Sequence, residues 1–323
     1  MLGARAAAIA AVPRWCRALR SSAALGGSRN LVWKMLRKKK KKFWYDSPTL
    51  GSKLAMEGQE LPYVLIDCIG GKHGVYEDHV EFLEKHFHLI SMKEYLENKK
   101  PLSEKIRAIY MWYHKPVINE ELLQSLPNLK IVASSGVGID HLDLHLLSSY
   151  GVKVANTPFA VSTDTADFGM ALMLASSRRL VEGYQMAVSP DEEYFPADWL
   201  GAEVSGATLG IVGMGTIGYK VAQRAKAFEM KILYHNRNQR NREEESAVGA
   251  VYCKKIDDLL QQSDFVLLSV TLTPQTHKLI GKRGLELMKP TATLINISRG
   301  RMHNKQNCIM VCWHKKSWEN PPL

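Results

Sequence analysis

The stretch TLGIVGMGTIGYKVAQRAKAF, residues 208–228, constrains this chain more than any other. An apolar β-run, Thr208–Val212, turns through Gly213-Met214-Gly215-Thr216-Ile217-Gly218 into an amphipathic helix. A Gly-x-Gly-x-x-Gly triplet alone is weak evidence. Between a strand and a helix it is what a dinucleotide-binding βαβ unit requires. Gly213 permits the tight turn, Gly215 removes a side chain where a pyrophosphate must approach, and Gly218 lets the helix pack on its strand. Backbone N–H groups at the helix start, around Thr216 and Ile217, can then hold phosphates.

The rest of the middle agrees with that unit. Short β-rich runs at Tyr63–Ile66, His88–Ser91, Ala108–Met111, Ile131–Ala133 and Val152–Ala155 alternate with helix-compatible stretches. A second series follows at Thr208–Val212, Lys231–Tyr234, Phe265–Ser269 and Thr293–Ile297. Such alternation predicts an α/β fold with parallel sheets. Between the two series, Thr163–Arg178 reads as a long helix capped by Ser162 or Thr163. Its expected apolar stripe is Phe168, Ala171, Leu172 and Ala175, with apolar residues to spare for a second subunit.

The net charge of +11 is concentrated at one end. Residues 1–45 hold twelve of the 43 basic residues and no acid, leaving 31 basic against 32 acidic residues in the body. A body so balanced offers no broad basic face for nucleic acid. No apolar run is long enough to span a membrane as a helix. The five cysteines are scattered and odd in number, as in a reducing compartment. The first thirty residues, rich in Ala, Arg and Ser, have the composition of a mitochondrial presequence. Arg37–Lys42 is a basic run, and Met56 offers an internal start. The expected location is therefore the mitochondrial matrix with the leader, or the cytoplasm for a product from Met56.

The strand after the glycine loop bears on cofactor choice. An acid that binds the ribose 2′-hydroxyl is expected about 20 residues past the glycines. Asn236 stands there, followed by Arg237, Asn238 and Arg240. Without an anion to repel a 2′-phosphate, and with arginines able to pair with one, the segment predicts NADP, with NAD as the second candidate.

Five segments, IVASSGVGIDHLDL, VANTPFAVSTDTADFGMALML, LGIVGMGTIG, SDFVLLSVTLTPQTHKLI and MKPTATLINISRG, occur in the order and spacing of the D-isomer-specific 2-hydroxyacid dehydrogenases. Over roughly Leu61–Gly300 the chain resembles that family, and most closely its glyoxylate/hydroxypyruvate reductases. The resemblance implies a Rossmann-type doubly wound parallel sheet beside a smaller, flavodoxin-like α/β substrate domain. Residues 1–55 would be a targeting-like or disordered basic extension, 56–155 the substrate domain, 156–300 the NAD(P)-binding domain and 301–323 a divergent tail. It implies a homodimer and a small 2-oxo or 2-hydroxy acid as partner. Val137 and Gly138 match the loop whose N–H groups grip the substrate carboxylate. Arg299 matches the catalytic arginine, which also binds that carboxylate, and Thr271 and Ile297 match cofactor-lining positions.

After Gly300 the sequence departs from the family. The resemblance implies a glutamate–histidine pair, a further strand and a returning helix, and RMHNKQNCIMVCWHKKSWENPPL matches none of them. The expectation is a C-terminally truncated form with an incomplete sheet, an exposed sheet edge, a tail without fold and impaired proton delivery. The tail histidines and cysteines, His303, Cys308, Cys312 and His314, are too closely spaced for an ordinary zinc site, and no metal is expected. Two other readings stand beside the reductase: a dinucleotide-sensing interaction protein, and a nonfunctional alternative product.

Overall fold

The computed structural model describes residues 60–71, 74–189 and 200–299, and the backbone of 311–314. The presequence-like segment, the basic run and most of the tail lie outside the described residues.

The first half runs β1 (Tyr63–Ile66), α1 (Glu77–Leu83), β2 (His88–Ser91), α2 (Met92–Glu97), α3 (Lys99–Ser103), β3 (Ile106–Met111), α4 (Glu120–Gln124), β4 (Ile131–Ser134), α5 (Leu144–Ser149) and β5 (Lys153–Ala155). Its strands form a parallel sheet in the order β2-β1-β3-β4-β5, the doubly wound arrangement of flavodoxin-like folds. Leu65, Ile109 and Val132 are buried in one core with Tyr95, and Ile66 lies in a second with Val75 and Val80. Asn119 and Asp143 start α4 and α5 by accepting the N–H of Leu122 and Leu146, each at 2.9 Å.

Two helices follow, α6 (Ser162–Ser177) and α7 (Leu180–Val188). The long helix falls where expected, but its start and its buried face do not. Its N-cap position is Val161, and the Ser162 hydroxyl turns back to the Phe159 carbonyl at 2.7 Å. The buried positions are Ser162, Ala166, Gly169, Met170, Met173 and Ser177, and Phe168 is 44% exposed. Gly169 sits against Leu267 and Ile297 and lets the helix approach the sheet closely, with Met170 and Met173 in the same core.

The second half runs β6 (Thr208–Val212), α8 (Thr216–Ala227), β7 (Lys231–His235), α9 (Arg242–Val248), β8 (Ala250–Tyr252), α10 (Ile256–Gln262), β9 (Phe265–Leu268), α11 (Lys282–Leu287), β10 (Thr293–Asn296) and β11 (Val311–His314). The order is β11-β10-β9-β6-β7-β8, the Rossmann order read from its far edge. β9 and β10 are buried throughout, with α6 and α8 packing on one face and α10 and α11 on the other. β8, only three residues long, is too short for a sequence period to show.

β11 corrects the expectation of a foldless tail and a bare edge. It pairs antiparallel with β10, Thr293 opposite His314 and Asn296 opposite Val311. An unpaired strand edge is a row of unmet N–H and C=O groups, and a β-prone Val-Cys-Trp-His segment satisfies them. Four residues lie below the length at which alternation can be read.

Asp264 ties the entry of this sheet together. Its carboxylate accepts the Thr208 N–H at 2.9 Å and the Lys289 ammonium at 2.8 Å. Burial alone would push its pKa up, but the bonds from Lys289 and Thr208 outweigh it and hold the carboxyl below the ordinary carboxylate value. A depressed folded-state pKa gives stability that is present above the unfolded pKa and lost as pH falls through the folded one. Asp264→Asn is expected to cost about 1–2 kcal/mol near neutral pH, the pair being partly exposed. Denaturant unfolding should show the difference shrinking below about pH 4.

Candidate functional site

The glycine loop leaves β6 at the point where the strand order reverses, between β6 and β9. Open α/β sheets place their ligands at such a point. Gly213 has φ +93°, and a side chain there would meet the Ser269 carbonyl and Val270. At Gly218 a Cβ would press on the Gly213 carbonyl. At Gly215 it would meet nothing within 4 Å. The fold therefore requires glycine at 213 and 218, whereas at 215 the space lies open on the ligand side. The N–H groups of Gly215, Thr216 and Ile217 at the start of α8 donate to no acceptor among the described residues. Gly215 and Thr216 are exposed, and Ile217 leans on the core. This open, donor-lined turn fits the pyrophosphate of a dinucleotide.

Asn236 and Arg240 brace the loop from behind. The Asn236 amide oxygen accepts the Met214 N–H at 2.7 Å, and its Nδ2 donates to the Met214 carbonyl at 3.3 Å. Arg240 Nη1 donates to the same carbonyl at 2.7 Å, while its Nε donates to Glu244 at 3.1 Å. The guanidinium lies 4.8 Å over the Tyr219 ring. Sequence reading placed Arg240 beside Arg237 as a phosphate partner. Its charge is instead engaged by Glu244, an i,i+4 partner that the spacing alone could have revealed. Arg237 and Asn238 are exposed beside the loop. Thr271 is also exposed, its carbonyl accepting the Thr276 hydroxyl at 2.7 Å. Ile297 is buried in the core against Gly169.

The second part of the site joins the two sheets. After β4, the loop Ser135–Gly138 has its carbonyls held by the next strand's exit. Asn156 Nδ2 donates to the Val137 carbonyl at 2.7 Å, the Thr157 N–H to Gly136 at 3.2 Å, and the Thr157 hydroxyl to Ser135 at 2.9 Å. With the carbonyls so engaged, the Val137 and Gly138 N–H groups donate to nothing among the described residues. Sequence reading passed over Asn156 and Thr157, although an Asn-Thr-Pro directly after a strand is a signal for such a support.

Arg299, just past β10, comes to this loop across 159 residues of chain. Its Nε donates to Asp140 at 3.0 Å and its Nη1 to the Ser298 carbonyl at 3.2 Å. Its Nη2 abuts Gly138 so closely that any side chain there would overlap the guanidinium. The Arg299 carbonyl accepts from Asn296 Nδ2 at 2.8 Å, and the Asn296 oxygen accepts the Ser298 N–H at 2.9 Å. The ion pair is half-buried, with side chains 28% and 21% exposed. Next to it, His141 stacks on His114 at 4.1 Å, and neither of its ring nitrogens has a hydrogen-bond partner among the described residues. Burial pushes the His141 pKa down, His114 and Arg299 add to this, and Asp140 opposes it. Two N–H groups without an acceptor among the described residues and a guanidinium thus meet on one loop, donors of the kind that suit a carboxylate.

These contacts separate ligand-facing from fold-supporting glycines. Gly215→Val is expected to leave the unfolding midpoint near that of the unaltered chain and to remove dinucleotide binding. Gly218→Val is expected to unfold at clearly lower denaturant, by about 1–3 kcal/mol of overpacking. Denaturant titration and fluorescence of added NADPH would separate the two.

Comparison with known proteins agrees with this geometry. Residues 170–315 match the family model for the D-isomer specific 2-hydroxyacid dehydrogenase, NAD binding domain. A glyoxylate reductase of Thermococcus gammatolerans is 37% identical over 250 residues, 75% of this chain and 74% of that protein. The crystal structure of a glyoxylate reductase from Paecilomyes thermophila superposes with a TM-score of 0.63 at 31% identity, covering 76% of each chain. D-lactate dehydrogenase from Aquifex aeolicus, solved with NAD and lactic acid, gives 0.63 at 28% identity, covering 75% of this chain and 70% of that one. The chain belongs to the D-isomer specific 2-hydroxyacid dehydrogenase family of NAD(P)-dependent oxidoreductases.

Proposed function

We propose that this chain binds NADPH and a small 2-oxo acid, glyoxylate or hydroxypyruvate, for reduction to the D-2-hydroxy acid. One observation carries the reading: the Arg299 guanidinium lies against the Val137–Gly138 loop, whose N–H groups are free. A carboxylate held there would place its neighbouring 2-oxo oxygen within reach of the same arginine. Charge-assisted bonds from Arg299 would fix the acid and draw electron density from the carbonyl carbon. When bound, the reduced nicotinamide dinucleotide supplies the hydride. The relatives named glyoxylate reductases support this substrate class.

The NADP preference rests on Arg237 and Asn236. Asn236 stands where a 2′-hydroxyl-binding acid would repel a phosphate, and Arg237 is exposed beside it. Arg240 supports the preference only indirectly, by holding the loop. The alkoxide formed at C2 needs a proton, and the tail after Gly300 offers no match to the family's glutamate–histidine pair. A general acid that delivers this proton contributes about 10²–10⁴ in rate. The exposed Phe168, Leu180, Val181 and Tyr184 of α6 and α7 support a homodimer. The basic leader supports a matrix location, and a product from Met56 a cytoplasmic one.

NADPH oxidation by the full chain with glyoxylate and with hydroxypyruvate tests the reading. Turnover is expected, with Arg299→Gln lowering kcat/KM by at least about 10²-fold. An Arg299→Gln variant as active as the unaltered chain would overturn it. Arg237→Asp is expected to shift relative affinity from NADPH toward NADH by about tenfold or more. Unchanged relative affinities would remove Arg237 from the cofactor reading.

A further inference from the structure

We propose that Asp140 is the positioning residue for Arg299, fixing which edge of the guanidinium faces the substrate carboxylate. The inference rests on the 2-oxo acid reading of the site and goes beyond it by assigning a role to an acid inside an anion-binding site.

A guanidinium on a flexible stem can present any of its N–H edges, and a carboxylate is recognised well only when two N–H groups face it in one plane. Here two bonds from different nitrogens fix that plane. Asp140 takes the Nε–H at 3.0 Å, and the Ser298 carbonyl takes an Nη1–H at 3.2 Å. The stem is anchored as well. Asn296 holds the Arg299 carbonyl and the Ser298 N–H, and the Ser298 hydroxyl accepts the Val270 N–H at 2.9 Å. What remains is Nη2, and it is the atom that abuts Gly138. The free donors of Val137, Gly138 and Arg299 therefore share one location. Asp140 is the one side chain among these partners that comes from the loop after β4, two residues past Gly138. It fixes the guanidinium relative to the loop, whereas Ser298 and Asn296 fix it only relative to its own strand.

A carboxylate at an anion site also has an opposing effect, since its charge repels the ligand and offsets part of the arginine's. The two effects give opposite signs on removal. If orientation wins, losing Asp140 weakens binding of a carboxylate ligand. If charge wins, losing it strengthens binding. The half-burial of the pair favours orientation, because a buried donor left without an acceptor swings to find one.

The test uses the full chain saturated with NADPH and titrated calorimetrically with oxamate, an unreactive 2-oxo acid mimic. Asp140→Ala is expected to weaken oxamate binding by about 10- to 100-fold, the size of one charge-assisted hydrogen bond. Asp140→Asn keeps an oxygen to accept the Nε–H and is expected to recover most of that loss. NADPH affinity should be the same in all three proteins, which a general loss of structure would not allow. Tighter oxamate binding in both variants, or equal binding in Asp140→Ala and the unaltered chain, would overturn the proposal. Absence of oxamate binding by the unaltered chain would overturn the 2-oxo acid reading itself, and would be seen before any variant is compared.

Discussion

Much of this structure depends on one contact, the guanidinium of Arg299 against the backbone of Gly138. The two residues follow strands of different sheets, β10 and β4, and 161 positions separate them in the chain. A half-buried cation is costly without an acceptor, and Asp140 and the Ser298 carbonyl supply two. Both sheets must therefore present their C-terminal edges toward one another at a fixed distance. Gly138 permits the approach because it has no side chain to stand in the way.

The cofactor side also meets an anion with N–H donors. There the ligand-facing groups are bare N–H donors, and the protein's own charges stand behind them. Arg240 faces away from the open turn, neutralised by Glu244 and stacked on Tyr219, and it grips the Met214 carbonyl. Asn236 grips the N–H and carbonyl of the same residue. A loop held at Met214 from two sides keeps its neighbours' N–H groups aimed outward before any ligand arrives, which lowers the ordering cost of binding.

The helix α6 links both sites to the core. Gly169 lets it lie against Leu267 and Ile297, directly beneath the ends of β9 and β10, where Arg299 emerges. Phe168 is turned outward, and with Leu180, Val181 and Tyr184 it leaves an apolar face on the far side. The side with Gly169, Met170 and Met173 packs on the sheet, and the side with Phe168 is exposed.

The sequence by itself determined the alternation of strands and helices through β10, the parallel course of those strands, the glycine turn and the arginine just past β10. These are local properties. Alternating apolar runs specify strands, and Gly213 and Gly218 are needed by the turn they make. Only the tertiary structure decided which donors are free and which are engaged. Arg237 and Arg240 are alike in the sequence, yet one is exposed and the other is held by Glu244. Asp140, Asn156 and Thr157 look like loop residues until the fold sets them against Arg299 and the Val137 loop. The buried side of α6 carries Gly169, Met170 and Met173 rather than Phe168, and Gly169 lets it approach Leu267 and Ile297 closely, a contact the sequence does not show. β11 was invisible because four residues carry too little pattern, and its pairing comes from the unmet hydrogen bonds of β10, a property of the sheet rather than of the segment.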